Sequence, residues 1–334
     1  MIPTRISYRP TVLIRRKRFV HSWMHTDSSK PTDVIQVQQV PSPGFGYVRV
    51  LLLNRPQARN AISRRLLDSL SHHVEAILTE GGRGPTRALV LASNVDSAFC
   101  AGADLKERRE MTKEEYVSLA WLLFYEYYFA FACHFVSNGV MEIHRTNAFL
   151  ARLRATFSHL ATLPIPTISA VSSVALGGGL ELALCTHFRV FGSSSVVGLP
   201  ETRLAIIPGA GGTFRLPRLI GLDRARDMIL TGRRVTGAEA YFIGLCNRLV
   251  EVTPEEETQE GVGRDKVLRE SMKLALDICE GGPIAIRQAL QAVNQFERGE
   301  NVENEAYAEV IDTEDRLEAL RAFAERRKPV FRGR

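Results

Sequence analysis

Short apolar runs alternate with amphipathic stretches along the first 250 residues of the chain. Runs of about four to eight mostly apolar residues predict buried strands, and these runs are Gly46–Leu53, Arg87–Ala92, Thr167–Val174 and Phe188–Phe191. Apolar residues recur at helical spacing from Ser63 to about Leu78, which predicts a helix with Ser63 as its N-cap. Further helices are predicted to begin at Leu180 and to cover Leu216–Leu230 and Ala238–Tyr241.

The strand pattern stops after residue 250. Thr253–Arg264 is polar and acidic and is predicted to be a surface loop. Three helices are predicted to follow it, at Asp265–Glu280, Pro283–Arg298 and Val302–Arg326. This order of elements indicates an α/β core at residues 34–250 and a helical C-terminal module at residues 251–334.

The overall composition, with 45% hydrophobic and 24% charged residues, is typical of a soluble globular protein. It excludes a fully disordered chain and a multi-span membrane protein. The five cysteines are scattered without paired spacing, which disfavours a disulfide framework and a zinc ribbon. The eight histidines form no HExxH pattern, so no metal site is predicted.

Most of the formal net charge of +6 lies in residues 1–33, which hold seven basic residues and two acidic ones. No acidic residue precedes Asp27, and serine and threonine are frequent. An arginine-rich, hydroxyl-rich segment without acids is typical of a mitochondrial transit peptide. Residues 1–33 are therefore predicted to be a disordered presequence directing the protein to the mitochondrial matrix, with a solvated basic arm as the alternative.

Three glycine-bearing stretches are candidates for ligand contact through the backbone. Phe99–Leu105 follows a predicted strand, Ala175–Glu181 joins a strand to a helix, and Pro200–Thr213 contains Pro-Gly-Ala-Gly-Gly. Glycine permits close approach of a ligand, and the N–H groups at a helix N-terminus favour negative charge, such as an oxyanion. Tight packing of helix on strand explains any one of these runs equally well. The glycine spacing matches neither GxGxxG nor GxxxxGK[ST].

Two carboxylates accompany these stretches. Glu181 lies in the first turn of the helix after the glycines, and Glu201 follows Pro200 between apolar segments. Singly, each glutamate is explained by the helix dipole or by solvation. Together they indicate an acid–base pair of the kind needed to add water to an activated double bond.

These stretches resemble the crotonase (enoyl-CoA hydratase/isomerase) superfamily from about Val34 to the C-terminus. Within it, the sequence LAIIPGAGG and the C-terminal tail are most similar to the methylglutaconyl-CoA hydratase branch. The resemblance implies an α/β fold built as a spiral of ββα units with a C-terminal helical oligomerisation module. The matching segments are Arg55–Ala61, Ala98–Arg108, Ala175–Leu184, Pro200–Thr213, Arg215–Gly221 and Asp315–Gly333.

The resemblance also implies roles for single residues. Glu181 and Glu201 would be the catalytic pair, and the backbone N–H groups of Ala103 and Gly178 would form an oxyanion hole for the thioester oxygen. The segment containing Ala101, Ala103, Asp104, Leu105 and Lys106, together with Gly178, would bind the substrate. Basic residues are needed for the CoA phosphates, and the candidates are Arg59, Arg326, Arg327 and Lys328.

By the same resemblance the chain is expected to be a hydro-lyase that hydrates an α,β-unsaturated acyl-CoA, with 3-methylglutaconyl-CoA of leucine degradation as the expected substrate. The CoA thioester is the substrate, no cofactor is implied, and a homotrimer or hexamer is expected. One alternative is a short-chain enoyl-CoA hydratase of fatty-acid β-oxidation. The other is an RNA-binding homologue, which the mixed charges and missing lysine of Ser63–Leu78 disfavour.

Residues 117–145 depart from the family pattern, in which a helix starting near Met111 passes directly into a segment like Asn147–Leu163. They contain the aromatic run Leu119–Val136. Our hypothesis is a retained intron translated by an incorrect gene model. The alternatives are a genuine lineage insertion and a transmembrane anchor, although no membrane association is expected because charged and polar residues interrupt the run.

Two single positions also depart from the pattern. His187 stands where the family usually has an acidic residue, and a neutral histidine is expected to fit the helix packing there. Phe214 replaces the usual glutamine, which puts a local hydrogen bond in doubt.

Overall fold

The computed structural model describes residues 25–26, 30, 32–104, 107 and 143–334. Most of the predicted presequence, residues 117–142 of the predicted insertion, and Leu105 and Lys106 lie outside the described residues.

The described strands form two sheets. The larger sheet has the order β1-β2-β3-β4-β5-β7-β10; its first two pairings are antiparallel and the remaining four are parallel. The smaller sheet has the order β6-β8-β9. The strands are β1 His25–Thr26, β2 Ile35–Pro41, β3 Tyr47–Leu53, β4 Thr86–Ser93, β5 Thr167–Val171, β6 Val174–Leu176, β7 Phe188–Gly192, β8 Val196–Gly198, β9 Arg234–Thr236 and β10 Arg248–Val250.

Helices cover both faces of the larger sheet and make up most of the C-terminal third of the chain. They are α1 Arg64–Thr79, α2 Ile143–Ala161, α3 Gly178–Ala183, α4 Gly212–Ile220, α5 Leu222–Thr231, α6 Gly237–Phe242, α7 Pro254–Glu257, α8 Val262–Cys279, α9 Pro283–Asn294, α10 Glu300–Ile311 and α11 Glu314–Ala324. Within the described ranges, no helix is long and apolar enough to cross a bilayer.

Alternate residues of the central strands face two different cores. Leu89 and Leu91 of β4 belong to a core with α1 and α2, whereas Val90 packs with Val267 and Leu274 of α8 on the opposite face. Every residue of β4 is buried, as expected for a parallel strand covered by helices on both sides. Burial on both faces explains the unbroken apolar run at residues 88–92 in the middle of this strand.

The predicted domain boundary at residue 250 requires correction. Helix α8 lies beyond that boundary, yet Val267, Ala275 and Cys279 are part of the core on the sheet. Buried Arg87 of β4 donates hydrogen bonds to the carbonyl oxygens of Cys279 and Gly281, at 3.4 and 2.9 Å. The α/β core therefore continues to Cys279, and only the helices from Pro283 onwards form the C-terminal module.

Three other predictions differ locally from the structure. His25–Thr26, within the predicted presequence, pairs with β2. The predicted strand Thr167–Val174 is two strands, β5 and β6, in different sheets. The predicted loop after Thr253 contains α7, which a Thr253–Glu256 capping box stabilises. The helix predicted at Val302–Arg326 is two helices, because α10 ends at Ile311 and Thr313 caps the start of α11.

His187 joins the core to the C-terminal module. Its Nδ1 accepts a hydrogen bond from the Thr167 backbone N–H at 3.2 Å, and its Nε2 lies 3.3 Å from the Asn294 amide of α9. Burial, and secondarily the charge of Arg189, lower the pKa of His187 to about 4. A neutral histidine, as expected from the sequence, therefore occupies this position.

This lowered pKa makes folding stability depend on pH. His187 binds a proton near pH 6.5 in the unfolded chain and only near pH 4 in the folded chain. The free energy of unfolding that depends on neutral His187 is therefore fully present above pH 6.5 and is lost as the pH falls towards 4. We expect the wild type to lose about 2 kcal/mol more than His187→Gln between pH 7.5 and pH 5, measured by urea unfolding. Equal losses in the two proteins would contradict this assignment.

Candidate active site

The backbone N–H of Ala103 points into a cavity. Ala103 forms a parallel bridge with Ile62 in which the N–H of Ile62 donates to Gly102 O at 2.7 Å and the N–H of Asp104 donates to Ile62 O at 3.2 Å. In this pattern the bridge uses the groups on either side of Ala103, so its own N–H is directed to the opposite side. That side is the wall of a cavity of about 540 Å³, which we call the inner cavity.

Gly178 contributes a second N–H to the same wall. It is the first residue of α3, so its N–H has no intrahelical acceptor. A Cβ on Gly178 would lie 3.8 Å from the Ala103 nitrogen, which shows how closely the two backbones approach. The preceding Gly177 has φ 53° and ψ −126°, a conformation that L side chains rarely adopt. The glycine run thus brings two N–H donors side by side.

Glu181 is held in a buried position one turn into α3. It is 2% exposed, and its Oε1 accepts hydrogen bonds from the N–H groups of Ala210 and Gly212, both at 2.8 Å. These donors belong to the third glycine stretch of the sequence. The two stretches therefore meet at this carboxylate and fix its position on the inner cavity.

Glu201 lies on the same cavity, in a 3-10 turn after β8 at Glu201–Leu204. It is 8% exposed. A Cβ on Gly177 would lie 3.0 Å from Glu201 Oε1, so the carboxylate packs against the start of α3. The structure thus brings Glu181, Glu201, Ala103 and Gly178 to one cavity, and their catalytic roles stay predictions.

A second, larger cavity of about 1090 Å³, the outer cavity, adjoins the inner one. Ala101 and Ala103 line both cavities. The outer cavity is rich in polar and basic residues, including Arg55, Arg59 and Arg65, whereas the inner cavity is lined mainly by apolar residues, such as Leu150, Leu153 and Ile206. A ligand with a polar part and a short apolar part would fit across the two, with its junction at Ala103.

The other predicted binding residues divide into two groups. Arg59, Ala101 and Asp104 line the outer cavity, although Asp104 is also paired with Arg55 at 3.1 Å. The tail residues Arg326, Arg327 and Lys328 are not among the described residues that line either cavity. Arg327 pairs with Glu318 and lowers the pKa of that carboxyl to about 2, and Lys328 lies 3.7 Å from Glu280. The tail is therefore a weaker candidate for CoA binding than Arg59.

Two site residues were not identified from the sequence. The Nδ2 of buried Asn60 donates to Phe99 O at 3.0 Å and to Ser93 Oγ at 2.9 Å, which ties the Arg55–Ala61 segment to the loop carrying Ala103. Arg154 of α2 lines the inner cavity. The Arg59-Asn60-Ala61 tripeptide, which matches the family pattern, was a signal for Asn60. Nothing in the local sequence distinguishes Arg154 from a solvated helix residue.

Phe214 lies at the surface of the chain. Its ring is 50% exposed, and the Arg215 guanidinium lies 4.7 Å from the ring centroid.

No group of three His, Cys, Asp or Glu among the described residues is placed to hold a metal ion.

Comparison with known families identifies the fold. Residues 46–134 and 125–334 match the family model for enoyl-CoA hydratase/isomerase. The chain belongs to this family. An enoyl-CoA hydratase from Bacillus anthracis superimposes with a TM-score of 0.72 at 36% identity, covering 90% of this chain and 100% of that one. The crotonase-like α/β fold expected from the sequence is therefore confirmed.

Two fungal relatives cover nearly all of the chain. Methylglutaconyl-CoA hydratase 1, mitochondrial, of Pyricularia oryzae is 50% identical over 98% of each chain. An enoyl-CoA isomerase/hydratase of Zymoseptoria tritici is 52% identical over 95% of this chain and 94% of the relative. The two family-model matches overlap at residues 125–134, inside the predicted insertion at 117–145. The retained-intron hypothesis itself stays a prediction.

Proposed function

We propose that this member of the family is a hydratase that adds water across the double bond of α,β-unsaturated acyl-CoA thioesters, with 3-methylglutaconyl-CoA as its substrate. The observation that carries the proposal is the convergence of two carboxylates and two backbone N–H groups on the inner cavity. The name of the Pyricularia oryzae relative supports the choice of substrate.

In this proposal the CoA moiety occupies the outer cavity and the acyl group occupies the inner one. The thioester then lies at Ala101–Ala103, where the cavities meet. Arg59, whose guanidinium donates to Ser97 O at 2.9 Å, is positioned to attract the CoA phosphates. The carbonyl oxygen of the thioester accepts hydrogen bonds from the N–H groups of Ala103 and Gly178.

The hydration step uses both glutamates. One carboxylate takes a proton from a water molecule as its oxygen attacks the β-carbon of the substrate. The electron pair of the double bond moves towards the carbonyl, and the enolate oxygen is stabilised by the two N–H groups. The other glutamate, which is protonated at the start of the cycle, donates its proton to the α-carbon, and the proton taken from water then passes to it and restores the starting state. Addition of water transfers no electrons to or from an acceptor, so we propose that the protein needs no metal or redox cofactor.

A substrate panel tests the proposal. We expect purified protein to hydrate 3-methylglutaconyl-CoA with a kcat/KM at least tenfold above that for crotonyl-CoA, followed by loss of enoyl thioester absorbance. Equal or better turnover of crotonyl-CoA would favour the short-chain hydratase, the alternative that the name of the Zymoseptoria tritici relative supports. Absence of turnover with both substrates would overturn the hydratase proposal.

The RNA-binding alternative has less support. Two charged residues of α1 are occupied in ion pairs, Arg64 with Glu107 at 4.0 Å and Asp68 with Arg152 at 2.9 Å. The remaining charge is a small basic footprint compared with that of typical RNA-binding surfaces.

We further propose that the protein acts in the mitochondrial matrix as a homotrimer or hexamer. The basic, acid-poor residues 1–33 and the mitochondrial relative support the location. Several large apolar side chains that are more than half exposed in the single chain support self-association, since burying them against another chain would remove apolar surface from water. They are Leu222, Leu230, Phe242 and Phe323.

A further inference from the structure

Arg154 is the one basic residue among the described residues that line the inner cavity. The cavity wall is otherwise mostly apolar, with Leu150 and Leu153 on the same helix and Leu204, Ile206 and Ile207 from the segment that follows Glu201. The Arg154 side chain is exposed at the mouth of this cavity, and the hydration mechanism proposed above gives it no role, because that mechanism uses carboxylates and backbone N–H groups only.

The guanidinium of Arg154 is fixed at one end. Its Nε donates to the carbonyl oxygen of Gly209 at 2.6 Å. Within the described part of the chain, the two terminal nitrogens make no hydrogen bond and no ion pair. Two parallel N–H donors are therefore available to a ligand, which is the arrangement that binds a carboxylate through both its oxygens.

One peptide unit connects Arg154 to a catalytic candidate. The Gly209 carbonyl that accepts from Arg154 and the Ala210 N–H that donates to Glu181 at 2.8 Å belong to the same planar peptide group. Bond lengths then limit the separation between Arg154 Nε and Glu181 Oε1 to about 8 Å. The loop that positions Glu181 thus also sets the distance between the reacting carbons and the cation.

That distance suits an acyl group bearing a second carboxylate. In a five-carbon enoyl diacid monothioester, the distal carboxylate carbon lies two bonds, about 2.5 Å, beyond the β-carbon. With the β-carbon beside Glu181, the carboxylate oxygens come within hydrogen-bond reach of the Arg154 guanidinium. The apolar lining supplies no polar partner for such a carboxylate, so the two free guanidinium nitrogens of Arg154 would replace the water that the carboxylate gives up on entering the cavity.

We infer that Arg154 binds the distal carboxylate of a dicarboxylic enoyl-CoA and sets the preference for this substrate class over apolar enoyl-CoA thioesters. The inference rests on the proposed hydratase function, since it places the substrate in the same cavity.

Substitution of Arg154 tests this inference with two substrates. For Arg154→Met we expect the ratio of kcat/KM for 3-methylglutaconyl-CoA to that for crotonyl-CoA to fall about 30-fold, mainly through a higher KM for the diacid thioester. Arg154→Lys keeps the charge but not the two-donor geometry, and we expect an intermediate ratio. Arg152→Met is the matched control, because Arg152 lies on the same helix but pairs with Asp68 outside the inner cavity; its ratio should equal that of the wild type.

Binding of unreactive analogues separates this inference from the proposed function. By calorimetry, we expect Arg154→Met to weaken binding of glutaryl-CoA at least tenfold relative to butyryl-CoA. An unchanged ratio in both the kinetic and the binding experiments would overturn the inference while leaving the hydratase proposal intact. An equal fall in kcat for both substrates would also overturn it, since Arg154 would then act only by supporting the Gly209–Ala210 peptide. A wild type that binds glutaryl-CoA but hydrates neither substrate would instead overturn the hydratase proposal.

Discussion

Replacing Glu181 with glutamine is expected to lower kcat for enoyl-CoA hydration about 1000-fold, and Glu201→Gln is expected to have a similar effect, since general acid–base groups contribute factors of this order. Glutamine keeps the shape of the side chain, and its amide oxygen can still accept the N–H groups of Ala210 and Gly212 that hold Glu181. The change therefore removes proton transfer while the cavity keeps its form. Stopped-flow or steady-state hydration of the preferred enoyl-CoA measures the effect.

Binding and a control variant distinguish lost chemistry from lost structure. Saturated acyl-CoA should bind both variants with near wild-type affinity. Glu75→Gln is the matched control, because Glu75 is an exposed glutamate of α1 whose carboxylate accepts a hydrogen bond from the Ser71 hydroxyl at 2.7 Å. The double variant should be little worse than either single one, since the two carboxylates act as a unit. More than a tenth of wild-type kcat in either single variant would contradict the paired role.

Gly179→Ala is expected to destabilise the fold by at least about 3 kcal/mol, or to prevent recovery of folded protein, because overpacking against a rigid wall is among the costliest substitutions. A Cβ on Gly179 would lie 2.0 Å from the carbonyl oxygen of Cys100. Cys100 is fully buried and bridges to Ala175, so its backbone has little room to move. Helix α3 can approach the Ala103 loop only because this residue has no side chain.

Gly282→Ala provides the comparison for that substitution. Its φ is −59° and its Cβ would meet other atoms only at 3.8 Å or more, so the change should alter unfolding free energy by less than about 1 kcal/mol. Urea unfolding of both variants, followed by circular dichroism, gives the difference. Similar stability of the two variants would show that the Cys100 backbone moves more easily than its burial indicates.

Local sequence was sufficient for the residues whose environment is built by their own neighbours. Gly178 and Glu181 belong to one short strand–turn–helix segment, and their placement at a helix start follows from the glycines before them. The pairing of Glu181 with Glu201 was inferred from the residue types, whereas the meeting of Gly178 with Ala103 was expected only through resemblance to a family, because no spacing rule relates stretches so far apart. The structure brings all four together on the inner cavity.

Longer-range contacts account for what the sequence did not reveal. The amphipathic pattern of α8 is the same whether its apolar face meets a sheet or another helix, so residue 250 appeared as a domain boundary although Val267 and Leu274 pack on the strands. Arg154 looks like any exposed helix arginine until Gly209, distant in sequence, is placed beside it. Both cases depend on which surfaces meet, and this information is not contained in a local window.

The continuation of the core through α8 has a consequence for exchanging parts between related enzymes. Swapping C-terminal segments at residue 250 would separate Val267, Leu274 and Cys279 from the strands on which they pack and would pair two surfaces that did not evolve together. The hydrogen bonds from Arg87 to the carbonyl oxygens of Cys279 and Gly281 tie the end of this segment to β4. Chimeric proteins that exchange the C-terminal module are therefore better joined at Gly281–Gly282 than at residue 250.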